Sequence, residues 1–267
     1  MAAVNNALDM YCRESGSGFP LVFIHGYLGG GEQWERWTES PPAGLRIVAP
    51  CLPGFGDSAH MQPLQSISEF ARSVLDFLSS REIEKFFLLG HSMGGMIAQE
   101  ITKQTPEKIA ALVLYGTGAL GEIPGRFETM EESRQRVLTE GEAMAAMRLP
   151  AKWLVDGKNS PHYSLALKIA EKSGLSSHLA GLNAMESWDG RTSLADITCP
   201  TLIVWGELDQ SYDRRQIEFL HRNIGGAILR TIPGASHLAH LEFPTQFDDI
   251  VSDFLDKVSR SPKNVRL

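Results

Sequence analysis

Short apolar runs alternate with amphipathic stretches of helical length along most of this chain, and this alternation constrains its fold more than any other feature. Each apolar run is bounded by Gly, Pro or charged residues, as expected for strands that are covered on both faces. The runs are residues 21–24, 47–49, 86–89, 110–115, 201–205 and 227–232. The amphipathic stretches include residues 67–78, 93–103, 213–222 and 244–258. The alternation predicts an α/β fold: a mostly parallel twisted sheet with helices on both faces.

Two regions depart from this alternation. Residues 7–14 and the Gly-Ser-Gly turn after them predict an antiparallel hairpin that leads into the sheet. Residues 119–194 contain helical patterns but no strand pattern, which predicts a helical cap over one end of the sheet. We therefore expect a core of residues 1–118 and 195–267, with the cap at 119–194 inserted after the sixth strand.

Composition excludes several functional classes. The 267 residues carry a net charge of -7 without any long basic run, which argues against a nucleic-acid partner. Cys12, Cys51 and Cys199 are odd in number and far apart, so they predict neither a disulfide framework nor a metal site. The first residues lack the basic and apolar regions of a signal peptide, and no apolar stretch approaches ~18 residues. We expect a cytoplasmic protein without a membrane partner.

Ser92 lies between a predicted strand and a predicted helix, in the sequence Gly-His-Ser-Met-Gly. The pattern Gly-x-Ser-x-Gly alone does not distinguish a nucleophile from a serine in a glycine-rich turn, but this position does. A sharp strand-to-helix turn brings chain segments close together, and Gly90 and Gly94 avoid the clashes that a Cβ would create. The turn directs the hydroxyl outward at the carboxyl edge of the sheet, where ligands bind. Ser92 is therefore the predicted nucleophile.

The chain resembles the α/β-hydrolase family over nearly its whole length. The motifs that carry the resemblance are GHSMGG around Ser92, HGYLGGGEQW near the start, LPGFGDS, GELDQ and PGASHLAH. In this family the acid and the histidine follow the serine in chain order. The resemblance implies that Asp209, just after a predicted strand, is the acid and that His237, in the last loop, is the base. Glu207 and Asp213 are rival acids that match the family pattern less well.

The resemblance also implies a role for each residue. His237 would take the proton of Ser92 and return it to the leaving group, and Asp209 would fix the tautomer of the imidazole. The backbone N–H groups of Tyr27 and Met93 would form the oxyanion hole.

Three other histidines and two departures from the family pattern lie near these positions. His25 is predicted to hold a loop and His91 to pack, whereas His240 is not predicted to be the base. The family often has Asp where this chain has Cys51, a residue that usually organises a loop. Relatives that cleave carbon–carbon bonds usually carry Trp after the catalytic histidine, and this chain has Leu238 there.

The predicted cap is rich in residues suited to an apolar pocket. We predict that Trp153, Trp188 and Met147 line the substrate pocket, because Met adapts to a ligand and Trp provides rigid apolar surface. One basic residue facing inward would hold a substrate carboxylate, and the sequence leaves open which. The candidates are Arg126, Arg148, Lys152 and Lys168.

These residues predict a cofactor-free serine hydrolase that cleaves a carboxylic ester or lactone of a small metabolite through an acyl-enzyme. Two alternatives remain open: a hydrolase of carbon–carbon bonds in ring-fission products, and a ligand receptor with a vestigial triad. The expected partner is a small-molecule substrate, a homodimer is possible, and no metal is expected because no His/Asp/Glu cluster has ligand spacing.

Overall fold

A computed structural model describes residues 9–122 and 126–260, and these residues form one seven-stranded sheet in the order β1-β3-β2-β4-β5-β6-β7. The strands are β1 (Cys12–Gly16), β2 (Phe19–Ile24), β3 (Leu45–Pro50), β4 (Phe86–His91), β5 (Ile109–Tyr115), β6 (Thr201–Gly206) and β7 (Ile228–Ile232). β1 pairs with β3 in the antiparallel direction, and the other neighbouring strands are parallel. The predicted mostly parallel sheet is confirmed.

Helices connect the strands. They are α1 (Glu35–Glu39), α2 (Ile67–Ser80), α3 (Met93–Gln104), α4 (Met130–Glu140), α5 (Glu142–Lys152), α6 (Tyr163–Ala170), α7 (Leu175–Glu186), α8 (Arg214–Asn223), α9 (Ala239–Glu242) and α10 (Pro244–Ser259). Short 3-10 helices occupy Gly31–Trp34, Gly56–Ser58, Pro106–Lys108, Gly157–Asn159 and Arg191–Asp196. In the described part of the chain, none of the helices combines the length and the apolar character needed to cross a membrane.

The helices cover both faces of the sheet, as predicted. Successive strand residues point to opposite faces, so one strand contributes to two apolar layers. In β2, Val22 and Ile24 pack in the layer that contains the apolar residues of α2, α3 and α8. Leu21 and Phe23 pack in the layer that contains the apolar residues of α10 and Trp37 of α1. The central strands are therefore apolar on both faces, which explains their continuous hydrophobic runs.

The predicted leading hairpin is wrong, because β1 pairs with β3 rather than with β2. The short link between β1 and β2 passes over the beginning of β3. A Cβ on Gly18, whose φ is +120°, would lie 2.2 Å from the carbonyl oxygen of Gly44. A Cβ on Gly16 would lie 2.4 Å from the carbonyl oxygen of Leu45, so only glycines permit the link to cross β3. Residues 7 and 8 of the predicted hairpin lie outside the described residues.

Helices α4 to α7 lie between β5 and β6, and we call them the helical insertion. The insertion follows the fifth strand of the described chain, not the sixth as predicted, because the leading segment contributes a single strand. It joins the core through a hydrogen bond from the N–H of Leu238 to the carbonyl of Trp153 (3.1 Å). A second bond runs from the N–H of Val155 to the carboxylate of Glu242 (2.7 Å).

The domain limits at 118/119 and 194/195 stay a prediction. Their ranges include residues 1–8, 123–125 and 261–267, which lie outside the described residues.

We predict that Gly94→Ala strongly destabilises the protein. A Cβ at this position would lie 2.2 Å from the carbonyl oxygen of Ile24 and 2.5 Å from that of His25, so α3 would have to move away from β2. We expect a loss of about 3 kcal/mol in the free energy of unfolding, measured by urea denaturation. Gly225→Ala is the control, because no atom lies within 4 Å of its added Cβ. Equal urea midpoints for the two variants would contradict the prediction.

Candidate active site

The candidate site lies where the strand order reverses. From β2 the chain continues to β3 on one side, and then returns to β4 on the other side of β2. Such a switch point opens a crevice at the carboxyl ends of the two central strands. The segment after β2 and the residue after β4 meet there, and a Cβ on Gly26 would lie 2.9 Å from the Cβ of Ser92. The topology therefore brings Tyr27 and Ser92 to the same crevice.

Ser92 has a strained backbone, with φ 56° and ψ -121°, which L-residues rarely adopt. Hydrogen bonds fix this conformation. The N–H of Ser92 donates to the carbonyl of Tyr115 (3.0 Å), and its own carbonyl accepts from the Thr117 hydroxyl (2.8 Å). A Cβ on Gly90 would lie 2.3 Å from the carbonyl oxygen of Gly94, so both glycines of the motif are required at the positions predicted for them.

Two unpaired N–H groups flank Ser92. Met93 is the first residue of α3, and the first N–H groups of a helix have no partner within it. Across residues 9–122 and 126–260, no hydrogen bond uses the N–H of Tyr27 or that of Met93. These are the two donors that the sequence predicts for an oxyanion hole, and they remain available to a ligand.

His25 holds the segment that carries Tyr27, as predicted. Its Nδ1–H donates to the carbonyl of Gly26 (2.8 Å), and its Nε2 accepts from the N–H of Leu52 (2.9 Å). Complete burial lowers the pKa of His25 to about 4, so the ring is neutral at pH 7. The imidazole thus fastens the end of β2 to the loop after β3.

Asp209 and His237 form a buried hydrogen-bonded pair. The Nδ1–H of His237 donates to Oδ2 of Asp209 at 2.8 Å, and the side chains are 3% and 0% exposed. Oδ1 of Asp209 accepts from the N–H groups of Ser211 (2.7 Å) and Tyr212 (3.2 Å). Both carboxylate oxygens therefore have partners, and Nε2 of His237 is left for a second interaction.

The rival acids have other roles. Asp213 caps α8 by accepting from the N–H of Gln216 (3.1 Å). Glu207 is exposed and accepts from the N–H of Gly234 (3.2 Å). Asp209 is thus the acid that the fold brings to His237.

Ser92 and His237 line one narrow cavity of about 20 Å³. Its walls are mainly apolar, and no Lys, Arg, Asp or Glu side chain is among its described lining residues. They are Gly26, Tyr27, Leu28, Gly29, Gln33, His91, Ser92, Trp153, Ala166, Ile169, His237, Leu238 and Leu241. Trp153 lies where the sequence predicts, with its ring 6.0 Å from that of His237. None of the four basic residues singled out in the sequence contributes to this lining.

The other two predicted pocket residues do not line this cavity. Met147 is wrongly predicted, because α5 turns Ala146 and Leu149 inward while Met144 and Met147 face solvent. The exposed fraction of Met147 is 37%. Trp188 is buried, but its indole ring packs against Gly190 instead. Sequence spacing does not determine which face of this helix meets the core.

Cys51, the departure from the family pattern, organises a loop. Its Sγ accepts from the N–H of Gly31 at 3.2 Å, and burial raises the pKa of the thiol to about 11. Cys51, Glu32 and Asp57 bring their potential metal-ligand atoms within 4.8 Å of one another, a grouping that the sequence spacing did not reveal. The ammonium of Lys172 donates to both carboxylates, so the insertion itself supplies the cation.

Tyr212 belongs to the site although no sequence motif indicated it. Its ring stacks on the imidazole of His237, with centroids 5.7 Å apart and planes at 21°. Burial raises the pKa of Tyr212 to about 12, although the positive charge of Arg126 and hydrogen bonding with Ser92 and Thr117 oppose the rise. The only signal was its position three residues after Asp209, where its N–H supports the carboxylate.

Comparison with known proteins places this geometry in context. The sequence model of the alpha/beta hydrolase family matches residues 21–250 of this chain. A 2-hydroxy-6-oxo-6-phenylhexa-2,4-dienoate hydrolase of Comamonas testosteroni is 25% identical over 270 residues, which cover 92% of this chain and 91% of that protein.

Two solved structures share the fold. The enol-lactonase of Burkholderia xenovorans LB400 superposes with a TM-score of 0.84 at 20% identity, over 95% of this chain and 99% of that chain. A thermophilic esterase of Thermogutta terrifontis superposes with a TM-score of 0.82 at 24% identity, over 93% of each chain.

Buried neutral histidines make the stability of the protein depend on pH. Burial lowers the pKa of His25 and His178 to about 4, that of His240 to about 3, and that of His91 well below its usual value. The unfolded chain binds protons at these groups near pH 6.5, whereas the folded protein does not. The free energy of unfolding therefore falls as the pH drops from about 6.5 toward 4.

We predict that unfolding at pH 5 takes up about four protons through these histidines, measured from the pH dependence of urea denaturation. His178→Gln should reduce the uptake by about one proton, since the variant lacks one depressed imidazole. His221→Gln, at an exposed position of α8, is the control and should leave the slope unchanged. Stability independent of pH between about 6.5 and about 4.5 would contradict the prediction.

Proposed function

Because this chain belongs to the alpha/beta hydrolase family, we propose that it is a cofactor-free serine hydrolase that cleaves a carboxylic ester or lactone of a small metabolite. The family match confirms the resemblance and the fold class predicted from the sequence. The observation that carries the proposal is the buried His237–Asp209 pair, whose histidine lines the same cavity as the strained Ser92.

The reaction begins with proton transfer. Asp209 holds the Nδ1–H of His237, so the lone pair of Nε2 is free to accept the proton of the Ser92 hydroxyl. The Ser92 oxygen then bonds to the carbonyl carbon of the substrate. The imidazolium formed on His237 is stabilised by the Asp209 carboxylate, whose two backbone donors keep it in place.

The oxyanion is stabilised by the N–H groups of Tyr27 and Met93, which lack partners in the described structure. Donors fixed in advance are each worth on the order of 3 kcal/mol in the transition state. Collapse of the tetrahedral intermediate expels the alcohol, which takes the proton from His237. Water then attacks the acyl-enzyme by the same steps and regenerates Ser92.

The cavity supports an ester or lactone over the alternatives. The relative from Comamonas testosteroni is named for a dienoate, which carries a carboxylate. A carboxylate calls for a cationic partner; the described lining residues provide none, and the charge of Arg126, which opposes the rise in the pKa of Tyr27 and Tyr212, acts from outside this lining. Leu238, where relatives that cleave carbon–carbon bonds usually have Trp, supports the same choice. A receptor without catalysis would have no use for the strained Ser92 and the buried acid–base pair.

We predict that Ser92→Ala abolishes hydrolysis of p-nitrophenyl acetate and butyrate. A serine-directed phosphonate should add once to the wild type but not to the variant, as measured by intact mass.

Asp209→Asn should lower kcat by about a thousandfold or more, because the imidazole loses the partner that fixes its tautomer. Glu207→Gln is the matched control and should retain activity. A wild type that neither turns over nor takes the label would overturn the nucleophile assignment and favour a receptor.

A second prediction concerns acyl-chain selectivity. Trp153 forms part of the cavity wall near His237, so Trp153→Leu should enlarge the space for the acyl chain. We expect the ratio of kcat/KM for p-nitrophenyl hexanoate over acetate to rise about tenfold. Met147→Leu, with its exposed side chain on the neighbouring helix, is the control and should leave the ratio unchanged. If the hexanoate-to-acetate ratio of kcat/KM is the same in both variants, the acyl chain does not bind against Trp153.

A further inference from the structure

The main-chain carbonyl of His237 accepts two hydrogen bonds from buried side chains. The hydroxyl of Tyr115 donates to it at 2.8 Å, and Nε2 of His91 lies 3.1 Å from it. A carbonyl oxygen only accepts, so Nε2 of His91 must carry the proton. The residue before the nucleophile thus fixes the main chain of the proposed base.

This proton determines the direction of the next hydrogen bond. Nδ1 of His91 lies 3.3 Å from the amide nitrogen of Gln33. Because a neutral imidazole carries one proton and Nε2 holds it, Nδ1 accepts and the Gln33 amide donates. The chain of bonds therefore runs in one sense, from Gln33 through His91 to the carbonyl of His237.

The environment of His91 keeps the ring neutral. Its ring centroid lies 4.6 Å from that of His237 and 4.5 Å from that of Tyr115. The ionisable groups that face it are Tyr115, His237, His240 and His25, and none of them is an anion at neutral pH that would stabilise a charged His91. Complete burial lowers the pKa of His91 well below its usual value. A charge there would repel the imidazolium that forms on His237 during the reaction.

We propose that Gln33 and His91 are positioning residues, which hold the main chain of His237 and keep a neutral ring beside it. The proposal rests on the proposed function, in which His237 is the base. Gln33 lies in the 3-10 helix Gly31–Trp34, shortly after Tyr27, and lines the cavity beside Ser92. The pair therefore couples the segment of the oxyanion hole to the loop of the base.

The test compares Gln33→Glu with Gln33→Leu. A carboxylate accepts but cannot donate, so the new carboxylate in Gln33→Glu draws a proton to Nδ1 of His91 and either removes the bond to His237 or charges the ring. Leucine removes the donor but leaves the Nε2 proton where it is. We expect kcat for p-nitrophenyl butyrate to fall about tenfold or more in Gln33→Glu and about threefold in Gln33→Leu, with KM little changed.

The order of the two kcat values distinguishes a positioning role of Gln33 from a packing role. Glutamate matches glutamine in shape more closely than leucine does, so a purely steric role predicts the reverse order. Nitrogen-15 NMR of the His91 ring gives a readout that is independent of turnover: Nε2 protonated in the wild type, and Nδ1 protonated in Gln33→Glu. Gln104→Glu, the same chemical change at an exposed position of α3, is the control and should alter neither kcat nor the His91 signals.

Each outcome decides one of the two proposals. A proton on Nδ1 of His91 in the wild type would overturn the positioning role without any variant. The positioning role would also be overturned if the wild type hydrolyses the ester and Gln33→Leu has a lower kcat than Gln33→Glu. Absence of turnover and of labelling at Ser92 in the wild type would instead overturn the proposed function, and the NMR result would still report on the hydrogen bonds of His91.

Discussion

The strained backbone at Ser92 is the constraint on which the rest of the site depends. A non-glycine residue at positive φ costs about 1–3 kcal/mol, and the surrounding structure must supply that energy. It does so through the bond from Ser92 to Tyr115 on the neighbouring strand and through the close contact of Gly94 with the end of β2. The same contact holds α3 against the segment of Tyr27. The backbone geometry of Ser92 and the position of the Tyr27 segment therefore have one physical origin.

Much of this architecture could be predicted because it follows from local patterns. A strand buried on both faces must be continuously apolar, so the central strands of the parallel sheet appear in the sequence as hydrophobic runs. The sharp turn at Ser92 requires small neighbours, so its glycines mark it. Asp209 and His237 could be predicted because each follows a strand at the edge where the crevice opens, in the chain order of the family.

The remainder depends on tertiary contacts that no local pattern encodes. The short turn after β1 predicts a hairpin, but the glycines in that turn serve to pass over β3. Met147 has the composition of a pocket residue, yet the rotation of α5 about its axis places it in solvent. Tyr212 lies in a segment without a motif, and the motif HGYLGGGEQW that contains Gln33 indicates no role for its side chain. Both residues reach the site only because distant segments converge there.

Lys172 gives the helical insertion an electrostatic role as well as a steric one. Its ammonium contacts Glu32, which is 8% exposed, and Asp57, and both carboxylates belong to short 3-10 helices of the core. Lifting residue 172 away would leave two like charges facing each other next to Cys51, and water would have to enter to solvate them. The lysine thus ties the insertion to these two carboxylates, and rising ionic strength weakens that attraction.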